Sequence, residues 1–105
     1  MKVIHLADIH LGSVRDRFLR RAEDRALREV LKAAEHERPD LVLIAGDLFD
    51  SNIPPIVRVT SAAEFLRKLK DLGIDIYMVY GSHDFSPTRS TMVEVLAKAG
   101  LINVI

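Results

Sequence analysis

Three short clusters in this chain carry the side chains able to grip a metal ion or move a proton: "ADIHLG" (7–12), "AGDLFD" (45–50) and "YGSHDF" (80–85). Their polar members are Asp8, His10, Asp47, His83 and Asp84. Carboxylate and imidazole without thiolate suit hard or borderline divalent ions such as Mn²⁺, Mg²⁺, Fe²⁺ or Zn²⁺. Asp8 and His10 are two residues apart, so on an extended segment both side chains point the same way and can hold one ion. Asp47 follows Gly46, which lets the backbone bend tightly. A carboxylate has two oxygens and can bridge two ions about 3.5–4 Å apart, the geometry of in-line phosphoryl displacement. His83 is suited to stabilise or protonate a leaving oxygen, with Asp84 orienting its ring. Taken singly, each residue has an ordinary explanation: a strand-end Asp commonly caps a turn, and a lone His is more often structural. As a set they reach metal-assisted phosphoester hydrolysis and go no further.

The elements that must position these residues are legible in the apolar pattern. "KVIHLA" (2–7), "LVLIA" (41–45), "IDIYMVY" (74–80) and "LINVI" (101–105) are short runs rich in β-branched residues. Near-continuous apolar runs are characteristic of strands buried on both faces. Between them the 3.6-residue period predicts helices. Over 18–38, Leu19, Ala22, Ala26, Leu27, Val30, Leu31 and Ala34 fall on one stripe, with charges opposite. A second helix over 54–73 starts at prolines and stops at Gly73, and a third over 86–100 opens with Ser-Pro and closes on Gly100. Alternating strands and helices predict an α/β fold, a parallel β-α-β-α-β-α-β unit with right-handed crossovers. In such a sheet the carboxyl ends of the strands share one edge, where ligands bind. Three clusters far apart in sequence would converge there.

The start of the first helix is crowded with Arg15, Arg17, Arg20, Arg21, Arg25 and Arg28, partly balanced by Asp16, Glu23, Asp24 and Glu29. The plain expectation is a solvated face laced with ion pairs. The sharper one is phosphate contact by one or two arginines. At 105 residues and a formal net charge of zero, the chain is one small domain or part of a larger one, and charge alone does not decide for nucleic acid. The lack of cysteine excludes disulfides and thiolate metal sites and makes a reducing cytoplasm the default location. No apolar run approaches the roughly 20 residues needed to cross a bilayer, so no membrane association is expected.

The ordered set D-x-H, G-D-x-x-D and G-N-H-D, each after a strand, is the pattern of the calcineurin-like metallophosphoesterases. This chain reads "DIH" at 8–10, "GDLFD" at 46–50 and "GSHD" at 81–84. With their flanks, "HLADIHLG", "GDLFDSNIPP" and "GSHDFSP" resemble the SbcD-type nucleases and their Mre-eleven relatives in double-strand-break repair, over essentially the whole chain. The resemblance implies one half of a two-sheet sandwich and two divalent metal ions, most often Mn²⁺. Asp8 and His10 would hold the first ion, Asp47 would bridge both, the residue at 82 would help hold the second, and His83 would be catalytic. It also implies exonuclease and endonuclease action on DNA with a Rad-fifty (SbcC) type ATPase. Position 82 is Ser82 where the superfamily usually has Asn, and a hydroxyl is a shorter and weaker donor than an amide carbonyl. The family's later histidines, one alone and an H-x-H, have no counterpart here, since His5 and His36 stand within a strand and on a helix. Residues 1–105 are therefore expected to be the N-terminal portion of the nuclease domain, weakly active by themselves.

Apolar residues on the helices at 56–72 and 89–99 exceed what one sheet contact needs. Val59, Ala62, Ala63, Leu66 and Leu69 form a stripe on the first, with Ile56 and Phe65 to its side. Met92, Val95, Leu96 and Ala99 form one on the second, with Val93 beside it. Most are expected to be core; the remainder would make a symmetric homodimer contact, as the resemblance implies. Two alternatives to the nuclease stand beside it: a non-catalytic dimerisation or scaffold module of the same fold, and a phosphoesterase on small phosphoesters.

Overall fold

A computed structural model of the chain describes residues 1–7, 9, 11, 17–46, 48, 49, 54, 56–79 and 92–105. The elements alternate as the apolar runs require: β1 (Val3–Leu6), α1 (Arg17–Glu37), β2 (Leu41–Ala45), α2 (Ile56–Asp71), β3 (Asp75–Val79), α3 (Met92–Lys98) and β4 (Asn103–Val104). They form one parallel sheet in the order β1-β2-β3-β4, the expected α/β architecture. Each strand thus neighbours the next in sequence, and right-handed crossovers put every helix on the same face of the sheet.

Burial follows that one-sided cover. Val42, Ile44, Ile76 and Met78 are 0 % exposed and point toward the helices. Their strand neighbours Leu41, Leu43, Ala45 and Tyr77, on the opposite face, are only half-buried, and Val3, His5 and Val79 are exposed. Strands expected to be buried on both faces are therefore covered on one among the described residues. The reason is topological: consecutive strand order sends no crossover helix to the second face.

Local chemistry ends the helices as expected. Gly73 and Gly100 both have φ of +80°, a conformation that costs a residue with a Cβ about 1–2 kcal/mol. Each cap is closed by backbone bonds, Ile74 N–H to Leu69 O (3.3 Å) and Leu101 N–H to Leu96 O (3.1 Å), which bring a following apolar residue back onto the helix end. α1 ends without glycine. Arg38 takes φ of 50° and donates its N–H to Ala34 O at 2.9 Å, and Pro39 follows. At the other end of β1, Lys2 N–H donates to Asp40 Oδ2 (2.8 Å) and Asp40 N–H donates to Lys2 O (2.9 Å), tying the entries of β1 and β2 together.

The helical stripes need three corrections. On α1, Leu27 and Ala34 are buried and Val30 and Leu31 half-buried, but Ala22 and Ala26 are exposed; Leu19 lies outside the described side chains. Alanine adds little apolar area, so the larger Leu27 and Leu31 set the helix rotation. On α2, Phe65 joins Ala62, Leu66 and Leu69 in the core, its aromatic area outweighing its place beside the stripe. On α3, Val93 and Leu96 are the buried pair, while Val95 is 56 % exposed and Ala99 is exposed. The cap that carries Leu101 and buried Ile102 back to the sheet fixes that rotation. Residues 86–91 of the predicted third helix, and Tyr80 of the predicted third strand, lie outside the described residues.

Candidate metal-dependent phosphoesterase site

The edge where the three clusters were expected to meet is built by adjacent parallel strands. β1 ends at Leu6, β2 at Ala45 and β3 at Val79, with Leu6 paired to Ile44 and Ala45 paired to Val79. Asp8 and Asp47 each follow their strand by two residues, and His83 follows β3 by four. Asp8, His10, Asp47, Ser82, His83 and Asp84 themselves lie outside the described residues. What the structure supplies is the frame on which they are strung.

That frame is tighter than a pair of free loops. Beyond the strand ends, Leu11 forms a parallel bridge with Phe49, and Leu11 N–H donates to Leu48 O at 2.9 Å. The offset between partners is 38 residues at Leu6–Ile44 and again 38 at Leu11–Phe49 (44 − 6 and 49 − 11), so the register of β1 and β2 is resumed within the clusters, past Asp8, His10 and Asp47. Leu11, Leu48 and Phe49 are 1 %, 0 % and 1 % exposed. Gly46, with φ of +79°, starts the turn before Asp47 in a conformation that glycine adopts without strain. Deeply buried apolar residues thus alternate along the chain with the polar candidates. Residue type singles out the polar half of these motifs and passes over the apolar half. The signal is nevertheless present, since "IHL" and "DLF" interleave the two kinds of residue.

A second feature has no sequence signal of its own. Arg58, in the first turn of α2, is 6 % exposed. Its Nη1 lies 3.1 Å from Asp24 Oδ1 and 3.4 Å from Glu23 Oε1, clamping α2 to α1. Arg58 Nε is buried without a partner among the described residues. Breaking such a pair from one side leaves a poorly hydrated charge behind, so the clamp holds the start of α2, just after the second cluster, against α1, which follows the first. Nothing in "PPIVRVTSAAEF" distinguishes this arginine from a solvated one. Among the described residues, no group of three or more His, Asp or Glu side chains is arranged to hold a metal ion. Glu37, at the opposite end of the strands, has its carboxyl held below the usual carboxylate range by Lys2, whose Nζ donates to Oε2 at 2.9 Å, with a smaller contribution from His36.

The α/β fold with its four-stranded parallel sheet agrees with comparisons to known proteins. The chain matches the calcineurin-like phosphoesterase family over residues 1–102 and belongs to that family. It is 40 % identical over 102 residues to the DNA double-strand break repair protein Mre11 of Aeropyrum pernix, covering 95 % of this chain and 25 % of that protein. It is 36 % identical over 86 residues to the SbcD component of the SbcCD nuclease of Staphylococcus epidermidis, covering 80 % of this chain and 23 % of that protein. A solved dimetal phosphatase from Danio rerio superposes with a TM-score of 0.56 at 19 % identity, covering 92 % of this chain and 33 % of the other, and so shares its fold. The chain spans about a quarter of the length of the curated relatives it matches.

Proposed function

We propose that this chain is the N-terminal part of a metal-dependent DNA nuclease of double-strand-break repair. The observation that carries the reading is the position of the three motif clusters directly after three adjacent, parallel strands, on a chain similar to Mre11 and SbcD proteins along nearly all of its length. In this reading Asp8, His10, Asp47 and Ser82 hold two divalent ions, with Mn²⁺ the favoured one. Bound ions of this kind supply Lewis acidity and an activated water at a phosphodiester. His83 would protonate or stabilise the leaving oxygen, and Asp84 would hold the imidazole in the orientation that this requires. The buried apolar residues between them restrict the backbone on which these groups ride.

The same reading assigns the rest of the surface. The half-open apolar face of the sheet would take the second sheet of the domain. Ile56 and Val57 on α2 (73 % and 55 % exposed) and Val95 on α3 (56 % exposed) would form the homodimer contact. A Rad-fifty-type ATPase would be the partner, acting on DNA inside the cell. No described helix is long and apolar enough to cross a membrane.

The test is Mn²⁺-dependent cleavage of linear duplex DNA by the full-length protein that carries this chain, beside cleavage of a small phosphodiester. Asp8→Asn and His83→Gln are each expected to lose about 10²-fold or more. Cleavage of the small substrate without DNA cleavage would replace the nuclease by a small-molecule phosphoesterase. A dimer cleaving neither would replace it by the scaffold reading, which Ser82 favours; Ser82→Asn should then restore Mn²⁺ binding.

A further inference from the structure

The arginines of α1 were expected to be laced into ion pairs on the helix surface, and the structure divides them differently. Arg20, Arg21, Arg25 and Arg28 are exposed, and none makes a hydrogen bond or ion pair with another described residue. Arg15, Asp16 and the side chain of Arg17 lie outside the described set. The two acids that should have neutralised this turn of the helix, Glu23 and Asp24, face α2 and lie against the buried guanidinium of Arg58 at 3.4 and 3.1 Å. Their side chains are 12 % and 39 % exposed, so a cation from the neighbouring helix has drawn the acidic half of α1 inward. Further along, Lys32 lies 3.7 Å from Glu29, and with Glu35 and Glu37 that half of the helix carries more acid than base. The excess of positive charge is therefore confined to the first three turns of α1.

The geometry of that excess is regular. At 3.6 residues per turn, Arg21, Arg25 and Arg28 fall within about 60° of one another around the helix. They span about 10.5 Å of its length, which corresponds to roughly three phosphate steps of one strand at about 3.4 Å each. Arg28 also lines the groove between α1 and α2, where Lys68 stands with it and Asp24 and Glu64 line the same groove. The stripe starts at the end of α1 that follows the first motif cluster, on the side of the molecule where the strands end. Guanidinium groups without protein partners keep their donors for an external anion, and their fork matches phosphate oxygens.

We propose that Arg21, Arg25 and Arg28 form a nucleic-acid backbone track that leads along α1 toward the strand-end edge, without ion pairs among the described residues while Glu23 and Asp24 engage Arg58 of α2. The proposal rests on the nuclease reading for its orientation, and it predicts binding rather than chemistry.

The experiment is fluorescence-anisotropy binding of a short labelled duplex to the full chain across a salt series in EDTA. Each lost phosphate contact reduces the slope of log K against log salt by about 0.9. Arg21→Gln/Arg25→Gln/Arg28→Gln should therefore lower the slope by about 2–3, while the corresponding triple lysine variant keeps most of it. Arg67→Gln, at a residue that pairs with Asp71 at 3.3 Å outside the stripe, should leave the slope unchanged. An unaltered slope in the triple glutamine variant overturns the track. So does an equal loss in the lysine variant, which would mean packing rather than charge, and so does full competition by polyglutamate, which would mean an acidic protein. A chain that cleaves DNA with an unaltered slope loses the track and keeps the nuclease. One that does not cleave, but shows the slope change, loses the nuclease and keeps the track.

Discussion

The two faces of the sheet are made from similar residue types, yet one is fully buried along β2 and β3 and the other only half-buried or exposed. Ile44 is 0 % exposed and its strand neighbour Leu43 is half-buried; Met78 is 0 % exposed and the adjoining Val79 is 38 % exposed. On the helix side, Ala62, Phe65, Leu66 and Leu69 of α2, Leu27 and Ala34 of α1 and Val93 and Leu96 of α3 close a core together with Leu11, Leu48, Phe49, Ile74 and Ile102. On the other side, an apolar face of Leu41, Leu43, Ala45, Tyr77 and Val79 has no cover among the described residues. The difference shows that apolar content alone does not locate a core. What locates it is the side to which the crossovers run.

The comparison can be broken most directly by truncation. Ile44→Ala should cost about 2–5 kcal/mol in denaturant unfolding, because it empties a filled site. Leu43→Ala should cost about 1 kcal/mol, in proportion to its smaller buried area. Equal losses would mean that the open face is covered as well as the helix face. Next in size is Arg58→Met, which should cost about 1–3 kcal/mol by leaving Glu23 and Asp24 beside an apolar group. Part of that loss should return in Arg58→Met/Glu23→Gln/Asp24→Asn, read by the same unfolding curves.

Gly73→Ala sharpens the comparison at the periphery of the helix layer. No atom lies within 4 Å of the added Cβ, so the expected cost of about 1 kcal/mol is the backbone strain of φ +80° alone. The smallest effect is expected at Glu37, whose side chain is 52 % exposed. Its carboxyl titrates below the ordinary value of 4.5, chiefly through Lys2, so its small contribution is present above that pH and fades as pH falls through the lowered pKa. NMR titration should show the lowered pKa returning toward the ordinary range in Lys2→Ala, and Glu37→Gln should lower the melting temperature only slightly near neutral pH and not at all below the lowered pKa.

Much of this was legible before any coordinates, and for local reasons. "LVLIA" at 41–45 is β2 to the residue, and the helix stops at Gly73 and Gly100 are backbone conformations that glycine adopts with least strain. The order of the three motif clusters after three strands follows from the alternation of elements, and it led to the family that the whole-chain comparison bears out. What could not be read was every decision made between elements. Ala22 and Ala26 fit the stripe of α1 as well as Leu27 does, yet larger neighbours turned them outward. Val95 and Val93 are interchangeable by type, and only the cap at Gly100 chose between them.

Sequence by itself determined the secondary elements, their caps and the edge toward which the chemistry-bearing residues are carried, because each depends on near neighbours or on a repeating period. Tertiary structure alone decided which face of the sheet is closed, that Leu11 and Phe49 resume the β1–β2 register past Asp8, His10 and Asp47, and that Arg58 reaches across from α2 to Glu23 and Asp24. These depend on groups 34 to 38 residues apart competing for the same contacts, and no local pattern records which of them wins.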